Sequence, residues 1–336
     1  MRTLTCTRPG HFEYTETRSP EWVEGYSLLQ IKRVGICGTD LHAYEGTQPF
    51  FSYPRILGHE LSAEILVTDQ PGFQKGDRVT IIPYFHCGVC IACRSGKPNC
   101  CVSINVCGVH IDGAMRDQLM VPSYSLVQGG ELSHEELALV EPLAIGAHGV
   151  RRAAVMPGEY VLVVGAGPIG LGIMEFARIA GAKVIALDIL ESRLAFCSEK
   201  LKVDFVINAA RENVPEKLKA ITGNDMPAVV IDATGNLKAI NQSFQWLAHG
   251  GRYVLVGLQK EMIAFSHPEF HKREATLMSS RNATRADFEL VMNNMREGIV
   301  NPLNYITHRV AFEAVKDAFP GWLDPANQVI KAMAHF

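Results

Sequence analysis

Nine cysteines are spread along the chain, and four of them share one short loop. Cys87, Cys90, Cys93 and Cys101 are spaced C-x2-C-x2-C-x7-C, with Gly88, Gly96 and Pro98 to turn the backbone between them. Four thiolates so close in sequence can close tetrahedrally around one zinc ion and leave no position open, which makes the site structural. Such a site carries excess negative charge, which Arg94 and Lys97 are placed to offset. Spacing alone leaves Cys100 as an alternative to Cys101 for the fourth position. A second group of possible ligands is dispersed: Cys37, the pair His59-Glu60, and Glu141. Taken singly, each reads as readily as a buried thiol or a satisfied core histidine. A third feature is Gly165-Ala166-Gly167-Pro168-Ile169-Gly170, a GxGxxG run. Alone it is a weak signal, so its context has to decide.

That context comes from the elements on either side. Tyr160-Val161-Leu162-Val163-Val164 is a continuous apolar run of the kind a strand buried on both faces shows. The glycine run follows it directly and opens a helix over 168–180 that ends at Gly181. Backbone N–H groups at such a helix start can face a pyrophosphate. The next strand, 183–187, leads to Asp188, where a carboxylate accepts hydrogen bonds from ribose hydroxyls and repels a 2′-phosphate, selecting NAD over NADP. Arg193, just beyond, is placed to stack on adenine or to tolerate a phosphate.

Further strands are expected at 228–231, 253–256 and 276–278, so strand and helix alternate over the middle of the chain as in a doubly wound parallel sheet. Ser280-Arg281-Asn282 follows the last of these strands at its carboxyl end, where ligands gather, and suits a cofactor or substrate contact. Before residue 143 the pattern is different. Short β-rich runs at 27–32, 63–67 and 78–82 are broken by Gly and Pro, as in an antiparallel, partly barrel-like domain. Ser133 with Glu136 forms a capping box for a short helix. Beyond about 286 come a helix-like segment, 287–296, and an apolar strand-like tail. There are no internal repeats.

Composition narrows the function. Hydrophobic residues make up 47% and charged residues 20%, which suits a large core and argues against disorder. With 32 basic against 35 acidic residues, the chain has no electrostatic bias toward nucleic acid or a membrane surface. No apolar run nears the ~20 residues that cross a bilayer. The start Met1-Arg2-Thr3-Leu4-Thr5-Cys6 lacks an apolar leader core, so the expected compartment is the cytoplasm. In that reducing setting, cysteines serve metals or catalysis more readily than disulfides.

Taken together and in order, Gly35-Ile36-Cys37-Gly38-Thr39-Asp40-Leu41-His42, Gly58-His59-Glu60, the four-cysteine loop, Glu141-Pro142 and the glycine run resemble the zinc-dependent medium-chain alcohol/polyol dehydrogenase superfamily. The resemblance implies a GroES-like catalytic domain over 1–142 and 286–336, a Rossmann NAD-binding domain over 143–285, and an active site in the cleft between them. It assigns the structural zinc to Cys87, Cys90, Cys93 and Cys101, and the catalytic zinc to Cys37, His59 and Glu141, with Glu60 as an alternate ligand. Two zinc ions per chain follow. Asp40 is implied as the partner that fixes the tautomer of His59. Thr39 and His42 are implied as the proton path, ending in an imidazole that titrates near neutrality. Lys331 is implied to reach the cofactor phosphates, and Thr234, Gly257, Leu258 and Ser280 join Gly165, Gly167, Pro168, Ile169, Gly170, Asp188 and Arg193 in the cofactor set.

The charges agree with this transfer. One zinc, one thiolate, one carboxylate and a neutral imidazole sum to zero, and three protein ligands leave a fourth position open, as a catalytic zinc needs. Such a zinc can acidify a bound hydroxyl group, and the nicotinamide carries the hydride chemistry.

Several stretches further resemble the L-galactonate/L-gulonate 5-dehydrogenase (hexonate) branch: 48–55, 108–113, 268–272 and 280–284. His110, Arg116 and Arg281 are the candidates for a substrate carboxylate, while Phe50 and Phe51 would wall an apolar pocket. The expected reaction is reversible NAD+-dependent oxidation of a secondary hydroxyl on a sugar acid or polyol. L-threonine 3-dehydrogenase and a sorbitol-type enzyme are the alternatives, with a non-catalytic NAD-sensing zinc protein as the reading outside enzymes. The family leads us to expect a homodimer or homotetramer. His86, His134, His249 and His308 receive no functional reading.

Overall fold

The computed structural model describes residues 1–49 and 51–336. The chain divides into two compact units, Met1–Glu141 with Thr284–Phe336, and Pro142–Ala283.

The first unit is built on a mixed sheet in the order Leu126–Gln128, Arg78–Ile81, Glu60–Val67, Tyr26–Gly35, Lys331–His335, Ile306–Ala311, with Gln118–Pro122 also paired to Tyr26–Gly35. Arg2–Arg8, His11–Glu16 and Arg55–Ile56 form a three-stranded sheet of their own. Leu29, Ile31, Val34, Leu61, Ala63, Ile65, Val79 and Ile81 bury their side chains in a core that also takes in Phe312 and Phe319. At roughly 1.5–3 kcal/mol for each large apolar side chain fully buried, this core holds the strands in register.

Register is what assembles the site. The strand Tyr26–Gly35 ends with Gly35 opposite Glu60, the first residue of its antiparallel neighbour. On the other side Gly35 pairs with Met333, and the N–H of Ile36 donates to the Ala332 carbonyl at 2.9 Å. The segments around Cys37, His59-Glu60 and Lys331 therefore meet at one end of three adjacent strands, although Lys331 lies 271 residues from Glu60 in sequence.

The second unit is a six-stranded all-parallel sheet. Its strands are β1 (Tyr160–Val164), β2 (Lys183–Asp188), β3 (Phe205–Asn208), β4 (Val229–Asp232), β5 (Arg252–Leu255) and β6 (Thr276–Ser279), in the order β3-β2-β1-β4-β5-β6. That is the doubly wound order, with its switch point beside β1. Val161, Leu162 and Val163 are wholly buried, as the apolar run required. Helix α1 (Pro168–Ile179) opens with Pro168 at its first position and Gly167 as N-cap. Gly181 follows with φ +83° and turns the chain into β2.

Candidate active site

In the first unit, Cys37, His59 and Glu60 bring their ligand atoms within 4.8 Å of one another. Three local devices hold them. The carboxylate of Asp40, fully buried, accepts the Cys37 N–H at 2.9 Å and the Gly58 N–H at 3.2 Å, pinning the backbone beside two of the donors. Gly35 leaves room for Glu60, since a Cβ at 35 would collide with the carboxylate. Gly58, at φ +94°, turns the chain so that His59 leaves it next to Cys37. The contact of Asp40 with the His59 ring differs from the one the family implied. Its Oδ1 lies 3.9 Å from Nδ1, beyond hydrogen-bond reach, so the two interact electrostatically while the hydrogen bonds of Asp40 go to the backbone.

Lys331 also departs from expectation. Its ammonium is buried, 2% exposed, and donates to Glu60 Oε1 at 2.7 Å, Glu60 Oε2 at 2.6 Å and the Ile36 carbonyl at 3.1 Å. An ammonium has three N–H donors, and all three are used. This replaces both the phosphate contact and the solvated strand lysine as the role of Lys331. Burial opposes the charge, but Glu60 first and Cys37 next outweigh it and raise the pKa of Lys331.

Glu141, 4% exposed, stands outside the 4.8 Å group but within its field. Burial and the neighbouring Glu60 push its pKa up to about 7, against the pull of His59 and Tyr84. One oxygen, Oε1, accepts the hydroxyl of the buried Tyr84. Nothing in the sequence singled out Tyr84. Burial works against a charged His59 ring, yet Cys37, Asp40 and Glu141 together hold its pKa well above the usual imidazole value. A donor set that draws positive charge this strongly fits a divalent cation, and a thiolate, an imidazole and a carboxylate are ligands zinc takes.

Thr39 is half-buried on the helix Gly38–Glu45, two residues past Cys37. His42 lies one turn on with its side chain 62% exposed, Nδ1 being 3.3 Å from both Glu45 Oε2 and Thr47 Oγ1. The sequence-predicted carboxylate binders are less uniform. His110 Nδ1 accepts the Val106 N–H at 2.9 Å. Arg116 buries an Nε that has no hydrogen-bond partner among the described residues. Arg281 is exposed in the second unit. Phe51 packs edge-on to Tyr53, with ring centroids 4.8 Å apart; Phe50 lies outside the described residues.

The four-cysteine lobe closes as its spacing required. All four sulfurs lie within 4.8 Å of one another, with Cys87–Cys101 and Cys90–Cys93 at 3.5 Å. Cys101 is 1% exposed and belongs to the group, whereas Cys100 is exposed and outside it, which resolves the alternative left by spacing. Backbone N–H groups of Val89 and Cys90 lower the pKa of Cys87, and those of Cys93 and Val102 bring Cys90 down to about 6. Burial, and next the hydrogen bond with Cys90, instead push Cys93 up to about 12, so Cys87 and Cys90 are the two poised as thiolates, the form a metal binds.

In the second unit the cofactor set collects at the carboxyl ends of the strands. Gly165 has φ +98°, and a Cβ on Gly170 would run into the Gly165 carbonyl, so helix and loop approach as closely as two glycines allow. Asp188 Oδ2 accepts the Ala166 N–H at 2.7 Å, and Oδ1 accepts those of Ile189 and Leu190 at 2.7 and 2.9 Å. Arg193 donates to the Ala166 carbonyl at 3.3 Å beside that carboxylate. Thr234 follows β4, its hydroxyl on Asp232 at 2.8 Å and its methyl group against Gly165. Gly257 packs on Gly235, and Leu258 beyond it is 60% exposed. Ser280, 7% exposed, directly follows β6 and has a buried hydroxyl with no hydrogen-bond partner among the described residues. A glycine cradle, a carboxylate past β2 and an orphaned hydroxyl at one sheet edge fit a dinucleotide.

A doubly wound nucleotide unit and a β-rich unit bearing one closed and one open metal-ligand cluster define the class of zinc- and nicotinamide-dependent dehydrogenases. The chain belongs to the zinc-type medium-chain alcohol dehydrogenase family. Residues 24–131 match the alcohol dehydrogenase GroES-like domain, and residues 168–297 the zinc-binding dehydrogenase domain. The chain is 42% identical over 338 residues to L-galactonate-5-dehydrogenase of Escherichia coli (strain K12), covering 100% of this chain and 99% of that protein. Among solved structures, an alcohol dehydrogenase from E. coli CFT073 complexed with NADH superposes with TM-score 0.92 at 30% identity, covering 100% of this chain and 99% of the other. L-idonate 5-dehydrogenase from E. coli K-12 gives TM-score 0.91 at 25% identity, covering 100% and 98%. The protein is an NAD(P)-dependent dehydrogenase of alcohols or polyols that uses zinc and NAD(H), and its substrate is a small molecule. No helix among the described residues is long and apolar enough to cross a membrane.

Proposed function

We propose that the chain is a hexonate dehydrogenase, oxidising a secondary hydroxyl of L-galactonate, L-gulonate or a close isomer with NAD+. The observation that carries this reading is the full-length likeness to L-galactonate-5-dehydrogenase, supported by the likeness to L-idonate 5-dehydrogenase. A hexonate carries a carboxylate that needs a cationic or N–H donor partner. Arg116 has a buried Nε with no hydrogen-bond partner among the described residues, a cationic group of the kind such a carboxylate needs.

In this reading Cys37, His59 and Glu141 hold the catalytic zinc, with Glu60 close enough to exchange with one of them, and Cys87, Cys90, Cys93 and Cys101 hold the structural zinc. The bound zinc supplies Lewis acidity and the bound nicotinamide accepts hydride. The protein's own part is to hold and move the proton: the Thr39 hydroxyl takes it at the site, and the exposed His42 ring releases it to water. The fingerprint glycines, Asp188, Arg193, Thr234, Gly257, Leu258 and Ser280 bind NAD, with Asp188 selecting against a 2′-phosphate. The two units serve as catalytic and nucleotide domains of a cytoplasmic homodimer or homotetramer.

The test is initial-rate NADH formation with L-galactonate, L-gulonate, L-idonate, sorbitol and L-threonine as substrates. A hexonate should give the highest kcat/KM. Turnover led by sorbitol or L-threonine would instead place the enzyme with one of the alternative specificities.

A further inference from the structure

Two buried carboxylates face the metal-ligand cluster, and each is held differently. Both oxygens of Glu60 are taken by the Lys331 ammonium. Glu141 gives only Oε1 to Tyr84, and its other oxygen accepts no hydrogen bond among the described residues. Tyr84 is 3% exposed, and its hydroxyl makes no other hydrogen bond among the described residues. Its ring packs edge-on to Phe288, with centroids 6.5 Å apart, so its direction is fixed by packing rather than by the hydrogen bond alone.

The strand that carries Tyr84 is itself anchored. Tyr84–Phe85 pairs with Asn105–Val106, and the Cys107 N–H donates to the Pro83 carbonyl at 2.9 Å. Two residues past this strand the chain reaches Cys87, the first residue of the four-cysteine lobe, and Asn105 follows soon after Cys101, the last. Both arms of the hairpin therefore lead into the lobe.

We propose that Tyr84 is a positioning residue for the catalytic metal: its hydroxyl orients Glu141 so that the free oxygen points to the Cys37–His59 donors, and the cysteine lobe holds Tyr84 in place. This rests on Glu141 being a zinc ligand. Groups that hydrogen-bond to metal ligands fix ligand orientation, and losing one typically weakens metal affinity by about 10–100-fold. Tyr84→Phe keeps the ring against Phe288 and removes only the hydroxyl.

The experiment follows release of the catalytic ion from zinc-loaded Tyr84→Phe to a chelator, with the structural ion counted separately, and records the visible spectrum after cobalt replaces the catalytic zinc. Release should be about 10–100-fold faster than in wild type, the cobalt spectrum should shift, and the structural ion should stay bound. Release at the wild-type rate with an unchanged spectrum overturns the proposal, whether or not the melting temperature falls, because a merely structural hydroxyl would change only the latter. Glu141→Ala separates the two ideas. If it keeps its catalytic zinc, the ligand assignment is wrong and the proposal falls with it. If it loses zinc while Tyr84→Phe does not, only the role of Tyr84 is refuted.

Discussion

Replacing Lys331 by Met should be among the most destabilising single changes in the first unit. The side chain is 2% exposed, Glu60 is fully buried, and three donor contacts of 2.6–3.1 Å join the ammonium to Glu60 and to the Ile36 carbonyl. Methionine fills nearly the same volume, so no cavity term of note arises. What remains is a carboxylate buried without its counter-charge. Removing one partner of a buried ion pair costs about 3–5 kcal/mol, because the other stays desolvated and unpaired. That is a large part of the roughly 5–15 kcal/mol that keeps a domain folded. For a unit of this size, each kcal/mol moves Tm by about 2–4 °C, so a fall of about 6–20 °C is expected. Adding Glu60→Gln removes the stranded charge, and the double variant should recover at least ~2 kcal/mol of the loss, a coupling within the range seen for residues in direct contact. The assay is a set of thermal scans of the zinc-loaded wild type, both single variants and the double variant, at one scan rate and one protein concentration. A Lys331→Met protein that melts within ~2 °C of wild type, or a double variant no more stable than Lys331→Met, would refute the reasoning.

Other consequences are open to direct measurement. Metal analysis should find two zinc ions per wild-type chain; Cys93→Ser should lose one together with much of the stability, and Cys37→Ser should lose the other while melting as wild type does. Asp188→Ala should lower NAD efficiency by about 1–3 kcal/mol and narrow the preference for NAD over NADP, read as the ratio of kcat/KM values. Asp188 also accepts three backbone N–H groups, so KM for both cofactors should rise as the loop loosens. Glu141→Ala should lose catalytic zinc, whereas Glu60→Ala should retain it and turn over slowly. An aldonate should also far exceed 2-butanol in kcat/KM, because a neighbouring hydroxyl lets a substrate grip zinc through two oxygens.

What could be read from the sequence follows the distance over which each feature is encoded. The cysteine lobe and the glycine fingerprint are local: spacing and two or three adjoining elements specify them, and the structure closes both as written. Spacing alone left Cys100 open; the family resemblance chose Cys101, and burial in the structure agrees with it. The dispersed cluster depends on strand register, since Gly35, Glu60 and Met333 become neighbours only once three strands pair. Family resemblance supplied those residues where spacing could not. Lys331 shows where resemblance stopped helping. A lysine on an apolar tail strand reads as a surface residue or a phosphate ligand, and nothing near it signals that Glu60, 271 positions away, takes its charge. Tyr84 is harder still, because one aromatic residue in an apolar strand looks like core until its hydroxyl is seen on Glu141.

The pairing of Glu60 with Lys331 also changes the charge arithmetic of the site. Zinc, the Cys37 thiolate and the Glu141 carboxylate sum to zero with a neutral His59. Adding Glu60 alone would leave the cluster with an uncompensated buried anion, which a low-dielectric interior penalises by several kcal/mol. Lys331 cancels that charge within 2.7 Å of both carboxylate oxygens. A second carboxylate can therefore stand at the metal without changing the net charge the substrate meets. Each carboxylate oxygen keeps a lone pair beyond the one given to the ammonium, so Glu60 stands in the ligand group while still paired with Lys331. Glu141 is tied instead by a single neutral hydroxyl, that of Tyr84. The two carboxylates thus differ in both place and partner: Glu60 lies within the ligand group, paired with Lys331, and Glu141 lies beside it with one oxygen on Tyr84.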